Sequence, residues 1–431
     1  MLSSIAAAQA QAAGFALHEQ GASGLGNAYA GAAAVAEDAT TVWWNPAGMA
    51  RLDPGKHLSF GGAYIVPTTE FGNRSSVPAA LQSGGGDGGN AGESKLIPNF
   101  FFVMDVGPKW NFGLSVTVPF GLATQYDSSW MGRFQGVKSE VETVNINPAV
   151  SYKVSDALSI GGGISYQHGK IDLTTAVNYS AAAFGAGGAP LLGLIGGPGV
   201  EGQNTTSVDG DAWGFNLGGL FNVTPATRVG VHYRSSLSYD LDGNTSFSNR
   251  PAALAGGIPD SDVKLSLKTP DSAAFSIAQQ AGPRVLLLAD ATWTHWGRIQ
   301  SVPVVRTSSA LSGSTLDTLT FNFHDTWRFS AGLNYQLSGA ALLKAGVAYD
   351  KTPVPNAEAR SVRLPDSDRT WLSFGVAFQT SPRDKIDAGY TYVVLRDADI
   401  NNDQTASGRG LVNGSYDAHI HVLGLQYQHT F

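Results

Sequence analysis

The chain of 431 residues contains no cysteine, few charged residues and no long uninterrupted apolar run. The lack of cysteine excludes disulfides, thiolate metal sites and cysteine nucleophiles. Charged residues make up 14% of the chain and the formal net charge is -7, which disfavours nucleic acid as a partner. Glycine, proline or polar residues interrupt the apolar stretches well before the ~20 consecutive residues that a membrane-spanning helix needs. A helical membrane protein is therefore not expected.

What the chain does contain is 53 glycines and a repeated alternation of apolar and polar residues. In the C-terminal segment, Leu423, Leu425 and Tyr427 fall on one face of a strand, and Gln426 and Gln428 fall on the other. One face suits lipid and the other suits an aqueous interior. A mean hydropathy of -0.05 agrees with a membrane barrel, because each of its strands gives only a weak apolar signal.

Fourteen runs follow this pattern, an even number as single-chain bacterial barrels require. They lie at 57–66, 95–105, 109–119, 141–152, 157–175, 207–223, 227–241, 262–278, 283–299, 319–336, 340–350, 369–380, 384–397 and 417–431. Short turns and long loops alternate strictly between them, as periplasmic turns and outer loops do in outer-membrane barrels. We therefore predict an all-β fold, a 14-stranded antiparallel transmembrane β-barrel in a bacterial outer membrane. A soluble β-sandwich or propeller would also alternate, but it would not need seven long loops on one side.

The N-terminal segment does not alternate. Residues 1–12 resemble the end of a secretory signal peptide, because Ala10-Gln11-Ala12 is a typical cleavage pattern. Residues 13–54 are rich in small residues and are predicted to form a plug, or hatch, inside the barrel of residues 55–431. The Gly24-x-Gly26 pattern follows no strand, which disfavours a nucleotide-binding loop. From the residues alone, Asn45-Pro46-Ala47 is an ordinary turn between hatch and wall.

Two further patterns concern the wall. Arg328 lies on the polar face of the tenth strand, and Arg234 lies on the polar face of the seventh together with Arg228 and His232, so these side chains are predicted to project inward. In the third strand, Pro119 has no N–H to donate to a neighbouring strand. The segment Pro119-Phe120-Gly121 is therefore the predicted bend of a weak point in the wall. The alternative is that Pro119 simply ends the strand at its loop.

Three motifs recur in a known order: GLGNAYAG at 24–31 after Phe15, Asn45-Pro46-Ala47, and LPDSDRTWLS at 364–373. They resemble the FadL family of outer-membrane transporters for long-chain fatty acids and other hydrophobic compounds, and the resemblance covers essentially the whole chain. It implies capture of a ligand by outer loops, an internal pocket, a hatch that rearranges and a lateral exit beside the third strand. The residues that it assigns are Phe184 and Leu192 in an apolar loop for capture, Phe15 for the pocket, Asn45, Pro46 and Ala47 for the hatch gate, and Pro119, Phe120 and Gly121 for the lateral opening.

The chain departs from the family where ligand selectivity would be set. Fatty-acid members carry basic residues that can hold a carboxylate through charge-assisted hydrogen bonds. The fifth strand of this chain has Gln167-His168-Gly169-Lys170 without the expected arginine. We take His168, Lys170 and Arg328 as candidate head-group ligands. Long-chain fatty acids are the first predicted substrate, and aromatic hydrocarbons are the alternative.

No catalytic or metal-binding residue is predicted. No Gly-x-Ser-x-Gly elbow occurs, and His419 and His421 lack a neighbouring carboxylate cluster. We expect a passive transporter that is not an enzyme, needs no cofactor and works as a monomer among outer-membrane lipid and lipopolysaccharide. A lipid-acting barrel enzyme and a general hydrophilic porin are the alternatives.

Overall fold

The computed structural model describes residues 13–396 and 398–431, in which β-strands are built around a small N-terminal segment. The predicted signal-peptide remnant at 1–12 lies outside the described residues. The strand segments are β1 (Lys56–Asn73), β2 (Lys95–Gly107), β3 (Trp110–Thr117), β4 (Gly121–Gln125), β5 (Lys138–Lys153), β6 (Leu158–Asn178), β7 (Glu201–Thr224), β8 (Thr227–Arg234), β9 (Ser238–Phe247), β10 (Ser261–Lys268), β11 (Ser272–Ala281), β12 (Val285–Thr294), β13 (Ser301–Arg306), β14 (Thr315–Thr320), β15 (Thr326–Gln336), β16 (Ala341–Asp350), β17 (Arg369–Gln379), β18 (Asp384–Leu395), β19 (Ala398–Gln404) and β20 (Gly410–Thr430).

Helices are short and few. They are α1 (Ala22–Leu25), α2 (Ala32–Val35), α3 (Thr41–Trp44) and α4 (Tyr179–Leu194), together with 3-10 turns at Pro46–Arg51, Ala252–Leu254, Trp296–Arg298 and Thr405–Ser407. Within the described ranges, none of them has the length and apolar character that crossing a bilayer would take.

The twenty segments make fourteen antiparallel strands, as predicted. Eight strands are continuous in the described residues, and six consist of two segments each: β3 with β4, β8 with β9, β10 with β11, β12 with β13, β14 with β15, and β18 with β19. The barrel closes where β1 pairs with β20, from His57 opposite Thr430 to Asn73 opposite Gly414. This pairing joins the first and last strands of the sheet, and such closure is what allows a sheet to cross a bilayer.

Alternation fixes which side chains face outward. On β20, Leu423 and Leu425 are 53% and 61% exposed, whereas Val422 and Gln426 are fully buried. The outward side chains form an apolar surface of the kind that faces hydrocarbon in outer-membrane barrels. The predicted faces of this strand are therefore confirmed.

The interruptions of the strands were not predicted. Sequence alternation placed continuous strands at 227–241, 262–278, 283–299 and 319–336, but each of these runs contains a break. Near these breaks the chain turns inward and buries Leu237, Trp296 and Phe323 in an apolar cluster inside the outer half of the barrel. Period-2 alternation cannot reveal this, because an apolar residue reads the same whether it faces lipid or this cluster.

The hatch segment, which begins at Ala13 and precedes β1, packs on the inner face of the wall. The wall carries glycine where the two backbones meet. A Cβ atom at Gly230 would lie 1.9 Å from the Ala33 carbonyl oxygen, and one at Gly346 would lie 2.2 Å from that of Asn27. Part of the glycine content is thus explained by the close approach of the hatch to the strands.

Candidate ligand-binding cavity and hatch

An inner cavity of about 120 Å³ lies between the hatch and the strands that follow the third one. The hatch contributes Ala16, Leu17, His18, Tyr29, Ala32, Ala33, Trp43 and Trp44, and the wall contributes Pro119, Phe120, Asn145, Ser165, Gln167, Phe215, His232, Arg234, Ser235, Leu237, Thr269, Pro270, Ser272, Ala274, Asp290, Thr292, Thr294 and Arg328. Apolar atoms make up most of its surface. A small number of polar groups on apolar walls is typical of a small-molecule site.

The start of the hatch replaces a neighbouring strand at the predicted bend. The N–H of Leu17 donates to the Pro119 carbonyl at 2.8 Å, and the N–H of Gly121 donates to the Phe15 carbonyl at 2.9 Å. Beyond the bend, β4 pairs with β5 but not with β2. The ladder between β2 and β3 ends before the bend, where Phe100 lies opposite Val116. Pro119 therefore lies in a bend within the third strand and does not simply end it.

Phe15 belongs to the apolar cluster that borders the inner cavity. Its ring centroid lies 5.7 Å from that of Phe120 and 4.9 Å from that of Trp296. The cavity itself is lined by the next three hatch residues, Ala16 to His18. The structure thus places Phe15 beside the predicted pocket, and movement of this segment would change the cavity and the bend together.

The LPDSDR motif holds the first hatch residues. The N–H of Gly14 donates to Asp366 Oδ2 at 2.8 Å, and the N–H of Ala13 donates to Asp350 Oδ2 at 3.3 Å. Asp366 also forms a fully buried ion pair with Arg369. Through the bond from Gly14, the motif helps to position the N-terminal part of the hatch.

Asn45-Pro46-Ala47 fastens the middle of the hatch. Asn45 Nδ2 donates to the Ala33 carbonyl at 2.7 Å and to the Gly219 carbonyl at 3.0 Å, and Asn45 Oδ1 accepts from the Ala47 N–H at 3.1 Å. One side chain thus ties two parts of the hatch to β7. The motif is more than the ordinary turn that its residues alone suggest.

Several basic wall side chains reach the hatch. Lys344 Nζ is paired with Glu37 at 2.6 Å and with Asp387 at 3.3 Å. Arg328, by contrast, donates to the Ala28 carbonyl at 2.8 Å, and Arg234 donates to the Trp43 carbonyl at 2.9 Å. Neither arginine is paired with a carboxylate in the ranges that the structure describes. Both line the inner cavity, whose lining also includes the carboxyl group of Asp290.

The structure corrects the prediction for the fifth strand. His168 and Lys170 lie on the outward face of β6, where they pair with Asp211 at 2.9 Å and Asp172 at 2.8 Å. Alternation continues without a shift through Gly169, so the inward position belongs to Gln167, which is 1% exposed and lines the cavity. His168 and Lys170 are therefore removed from the candidate ligand site.

The predicted capture residues lie at the outer end. Phe184 and Leu192 are in α4, and Phe184 is 53% exposed. Neither lines the inner cavity. An outer cavity of about 500 Å³ lies below the same helix, with Ala181 and Ala182 in its lining. Its other lining residues are Phe134, Thr175, Ala176, Val177, Asn178, Asn204, Phe247, Ile258, Arg306, Leu316, Asp317, Ser407, Gly408 and Arg409.

The predicted site residues do not include the hatch residues that line the cavity, above all Trp43 and Trp44. Two adjacent tryptophans within a segment of small residues were the available signal. The predicted site residues also do not include Glu19, whose pKa is raised to about 7 by burial within the hatch. One oxygen of that carboxyl has no hydrogen-bond partner.

Comparisons with known proteins show which proteins share this sequence and fold. A profile of the family described as "Outer membrane protein transport protein (OMPP1/FadL/TodX)" matches residues 3–431. The long-chain fatty acid transport protein of Salmonella typhi is 30% identical over 410 residues, which cover 92% of this chain and 91% of that protein. The crystal structure of a Pseudomonas aeruginosa FadL homologue matches with a TM-score of 0.89 at 26% identity, covering 97% of this chain and 100% of the other.

The crystal structure of the Ralstonia pickettii toluene transporter TbuX has the same fold, with a TM-score of 0.69 at 22% identity and coverage of 96% and 99%. The profile match, together with the likeness to the Salmonella protein over nearly the full length of both chains, decides the assignment. This chain belongs to the OMPP1/FadL/TodX family of outer-membrane transport proteins.

Proposed function

We propose that this protein takes up long-chain fatty acids by passive diffusion through the inner cavity. The observation that carries the proposal is an apolar cavity, closed on one side by the hatch, whose lining includes Arg234 and Arg328 without carboxylate partners in the described chain. An acyl chain suits the apolar walls, and a carboxylate head group would accept charge-assisted hydrogen bonds from these guanidinium groups. The Salmonella relative is named for the same class of substrate.

The route begins at the outer cavity. Apolar side chains such as Phe134 and Phe247 would accept an acyl chain there, and Arg306 and Arg409 lie in the same lining. Phe184 and Leu192 on α4 extend this apolar surface towards the medium. From this site the ligand would pass the cluster around Phe15 to reach the inner cavity.

The exit would be sideways at the third strand. β4 lacks a ladder to β2, and the hatch segment around Ala16 covers the bend from inside. A ligand that displaces this segment would expose Pro119, Phe120 and Gly121 to the space between the two strands. An apolar molecule would then enter the bilayer without crossing the periplasmic side of the hatch.

Aromatic hydrocarbons are the second candidate, and the size of the cavity favours them. The volume of about 120 Å³ is close to that of the engineered ~150 Å³ protein cavity that binds benzene. One aromatic ring would fit without rearrangement. A long acyl chain, in contrast, requires the hatch to move. The two substrates therefore differ in whether binding needs a conformational change of the hatch.

Two adjacent alanines in β11 offer a matched test. Ala274 faces inward and lines the inner cavity, whereas Ala273 alternates to the outward face. We expect Ala274→Phe to abolish oleate binding to purified protein and oleate uptake by cells that lack their own fatty-acid transporter. Ala273→Phe should leave both unchanged. Equal behaviour of the two variants would refute transport through this cavity, and toluene binding in place of oleate binding would favour the second candidate.

We also propose that the protein is a transporter without catalytic activity. It would work as a monomer surrounded by outer-membrane lipid and lipopolysaccharide. A lipid-acting enzyme would release products from phospholipid or lipid ester in hydrolysis assays with the purified protein. A general porin would show a large unselective conductance that does not change when residues 13–53 are deleted. Either result would replace the proposed function.

A further inference from the structure

The wall beside the inner cavity has a gap in strand pairing between the seventh and eighth strands of the barrel. The ladder between β8 and β11 ends where Arg234 lies opposite Ser272. The ladder between β9 and β10 begins only where Ser238 lies opposite Lys268. In the described chain, the residues between these two pairs belong to neither ladder. The sheet is therefore interrupted at this point, although both strands continue past it.

A proline accounts for the interruption. Pro270 is buried within the eighth strand and has no N–H to donate to a neighbour. Two hydroxyl groups replace ladder carbonyls around it: Thr269 Oγ1 accepts from the Leu237 N–H at 2.9 Å, and Ser235 Oγ accepts from the Phe215 N–H at 2.9 Å. Because side chains satisfy these backbone donors, the strands do not need to close the gap.

The seventh strand is also unpaired on its other side. Its ladder with β7 covers β7 residues up to Asp209 and resumes at Asn216. Among the described residues, 210–215 of β7 are paired with β6 but are in no ladder with the seventh strand. Irregular backbone at membrane depth is tolerated where it is buried in protein or lines a cavity. This part of the wall therefore fits the border of a cavity.

The inner cavity extends into this gap. Phe215 points outward and is 46% exposed, like its neighbours on the same face, Trp213 and Leu217. It nevertheless lines the inner cavity, together with Ser235 and Pro270. An outward side chain can border an inner cavity only where the wall between them is open. The cavity thus reaches the lipid-facing side of the barrel here.

An apolar groove of about 680 Å³ lies next to the gap on the outward face of the wall. It is lined by Leu217, Gly218, Gly219, Val231, His232, Tyr233, Ala273, Ala274, Phe275, Ala291, Trp293 and Trp327. Two of these residues, His232 and Ala274, also line the inner cavity. They lie opposite each other in the ladder between β8 and β11. A single pair of strands therefore separates the groove from the cavity.

From this geometry we propose that the gap is a second lateral port, through which the hydrocarbon tail of a ligand in the inner cavity extends into the groove. The port rests on the proposed uptake of fatty acids and is separate from the bend at Pro119 in the third strand. Phe215, Leu237 and Pro270 give the passage an apolar surface, which favours a hydrocarbon chain and disfavours a charged head group. A long tail would then occupy the groove as well as the inner cavity.

Bimane fluorescence at single cysteines can locate the tail, because the chain has no native cysteine. Phe275→Cys reports on the groove, since Phe275 is 52% exposed and lines the groove but not the inner cavity. Leu372→Cys is the matched control. Leu372 is 42% exposed on the outward face of β17, four strands from β11 and thus roughly 19 Å along the wall. Val116→Cys on the outward face of β3 reports on the bend in the third strand.

The quenchers are two stearates, one with a nitroxide near its methyl end and one with a nitroxide near its carboxyl group. At saturation, the methyl-end probe should cause a loss of fluorescence at position 275 that the carboxyl-end probe does not cause. Excess unlabelled oleate should reverse this loss, and Ala274→Phe, which fills the inner cavity, should abolish it. At position 372 both probes should give the same small loss, from probe dissolved in the detergent.

The outcomes distinguish failure of the port from failure of the proposed function. If neither probe binds the unchanged protein in a calorimetric titration, the proposed function fails. If both bind but give equal losses at position 275, or the methyl-end probe acts at position 116 instead, the port is overturned while the proposed function stands. A loss at position 275 that persists in Ala274→Phe or with excess oleate would place the probe on the outer wall alone, and would also overturn the port.

Discussion

The close approach of hatch and wall at Gly346 gives the sharpest prediction. Gly346 is in the middle of β16 on the inward face, and a Cβ atom there would lie 2.2 Å from the Asn27 carbonyl oxygen and 2.3 Å from its carbon. Both are backbone atoms that no rotamer change can move. The substitution Gly346→Ala therefore forces the hatch away from the wall by about an ångström or more, although alanine is otherwise acceptable in a strand.

The expected cost is that of overpacking a tightly packed interior, about 1–3 kcal/mol. Because 1.4 kcal/mol is a tenfold change in an equilibrium constant, the displaced hatch should become roughly 5- to 150-fold more populated. Gly230 lies on another strand against Ala33, with a Cβ distance of 1.9 Å to its carbonyl oxygen. The double variant Gly230→Ala/Gly346→Ala should show approximately additive costs, if the two contacts are independent.

The assay uses the absence of native cysteine. Ser23 in α1 is 2% exposed, and Ser23→Cys is a nearly isosteric reporter that reacts with an aqueous maleimide only when the hatch is displaced. Labelling should accelerate with Gly346→Ala and more with the double variant. Gly72 points outward on β1, and its nearest neighbour atom would be 3.8 Å from a Cβ, so Gly72→Ala is the control. Unchanged labelling in Gly346→Ala, or equal acceleration by Gly72→Ala, would refute the reasoning.

Three further predictions concern ligand selectivity and the hatch. Gln167→Arg should strengthen oleate binding about tenfold or more, because it adds a cation to the lining of the cavity. His168→Arg on the outward face should leave oleate binding unchanged. Isothermal titration calorimetry of oleate with both variants measures the difference. Asn45→Asp, which keeps the size but removes both donors to Ala33 and Gly219, should accelerate labelling of the Ser23→Cys reporter, and an unchanged rate would contradict the role of this side chain. Burial raises the pKa of Glu19 to about 7 from an ordinary value of 4.5, so the docked hatch disfavours the ionised carboxylate. The free energy that stabilises the docked hatch should therefore fall by on the order of 3 kcal/mol as the pH rises between these two values. Because the thiolate is the reactive form, labelling accelerates with pH in every variant, but the acceleration between pH 5 and 8 should be steeper in the unchanged protein than in Glu19→Gln; the same slope in both proteins would show that another group is responsible.

Much of the fold is readable in the sequence because the membrane imposes a simple rule. A strand with lipid on one side and an interior on the other must alternate, so the faces of β20 follow from residues such as Leu425 and Gln426. The bend at Pro119 is also readable, because a missing N–H interrupts a ladder wherever it occurs. The cluster that contains Leu237, Trp296 and Phe323 is not readable, since its apolar residues resemble those that face lipid.

The candidate site was readable only in part. Motifs that resemble a known family located the hatch, and the polar face of the tenth strand located Arg328. The fifth strand was misread at His168, because the choice between His168 and Gln167 depends on the phase of alternation over the whole strand. The phase becomes certain only when the strand is paired with its neighbours.

By itself, the sequence determined the alternation, the number of strands and the order of short and long connections, because each depends on residues that are near one another in the chain. Only the tertiary structure decided which arginines line the cavity, which glycines touch the hatch and what covers the bend in the third strand. These features join residues hundreds of positions apart, such as Gly14 with Asp366. Local periodicity contains no information about which distant groups will share one interior once the barrel closes.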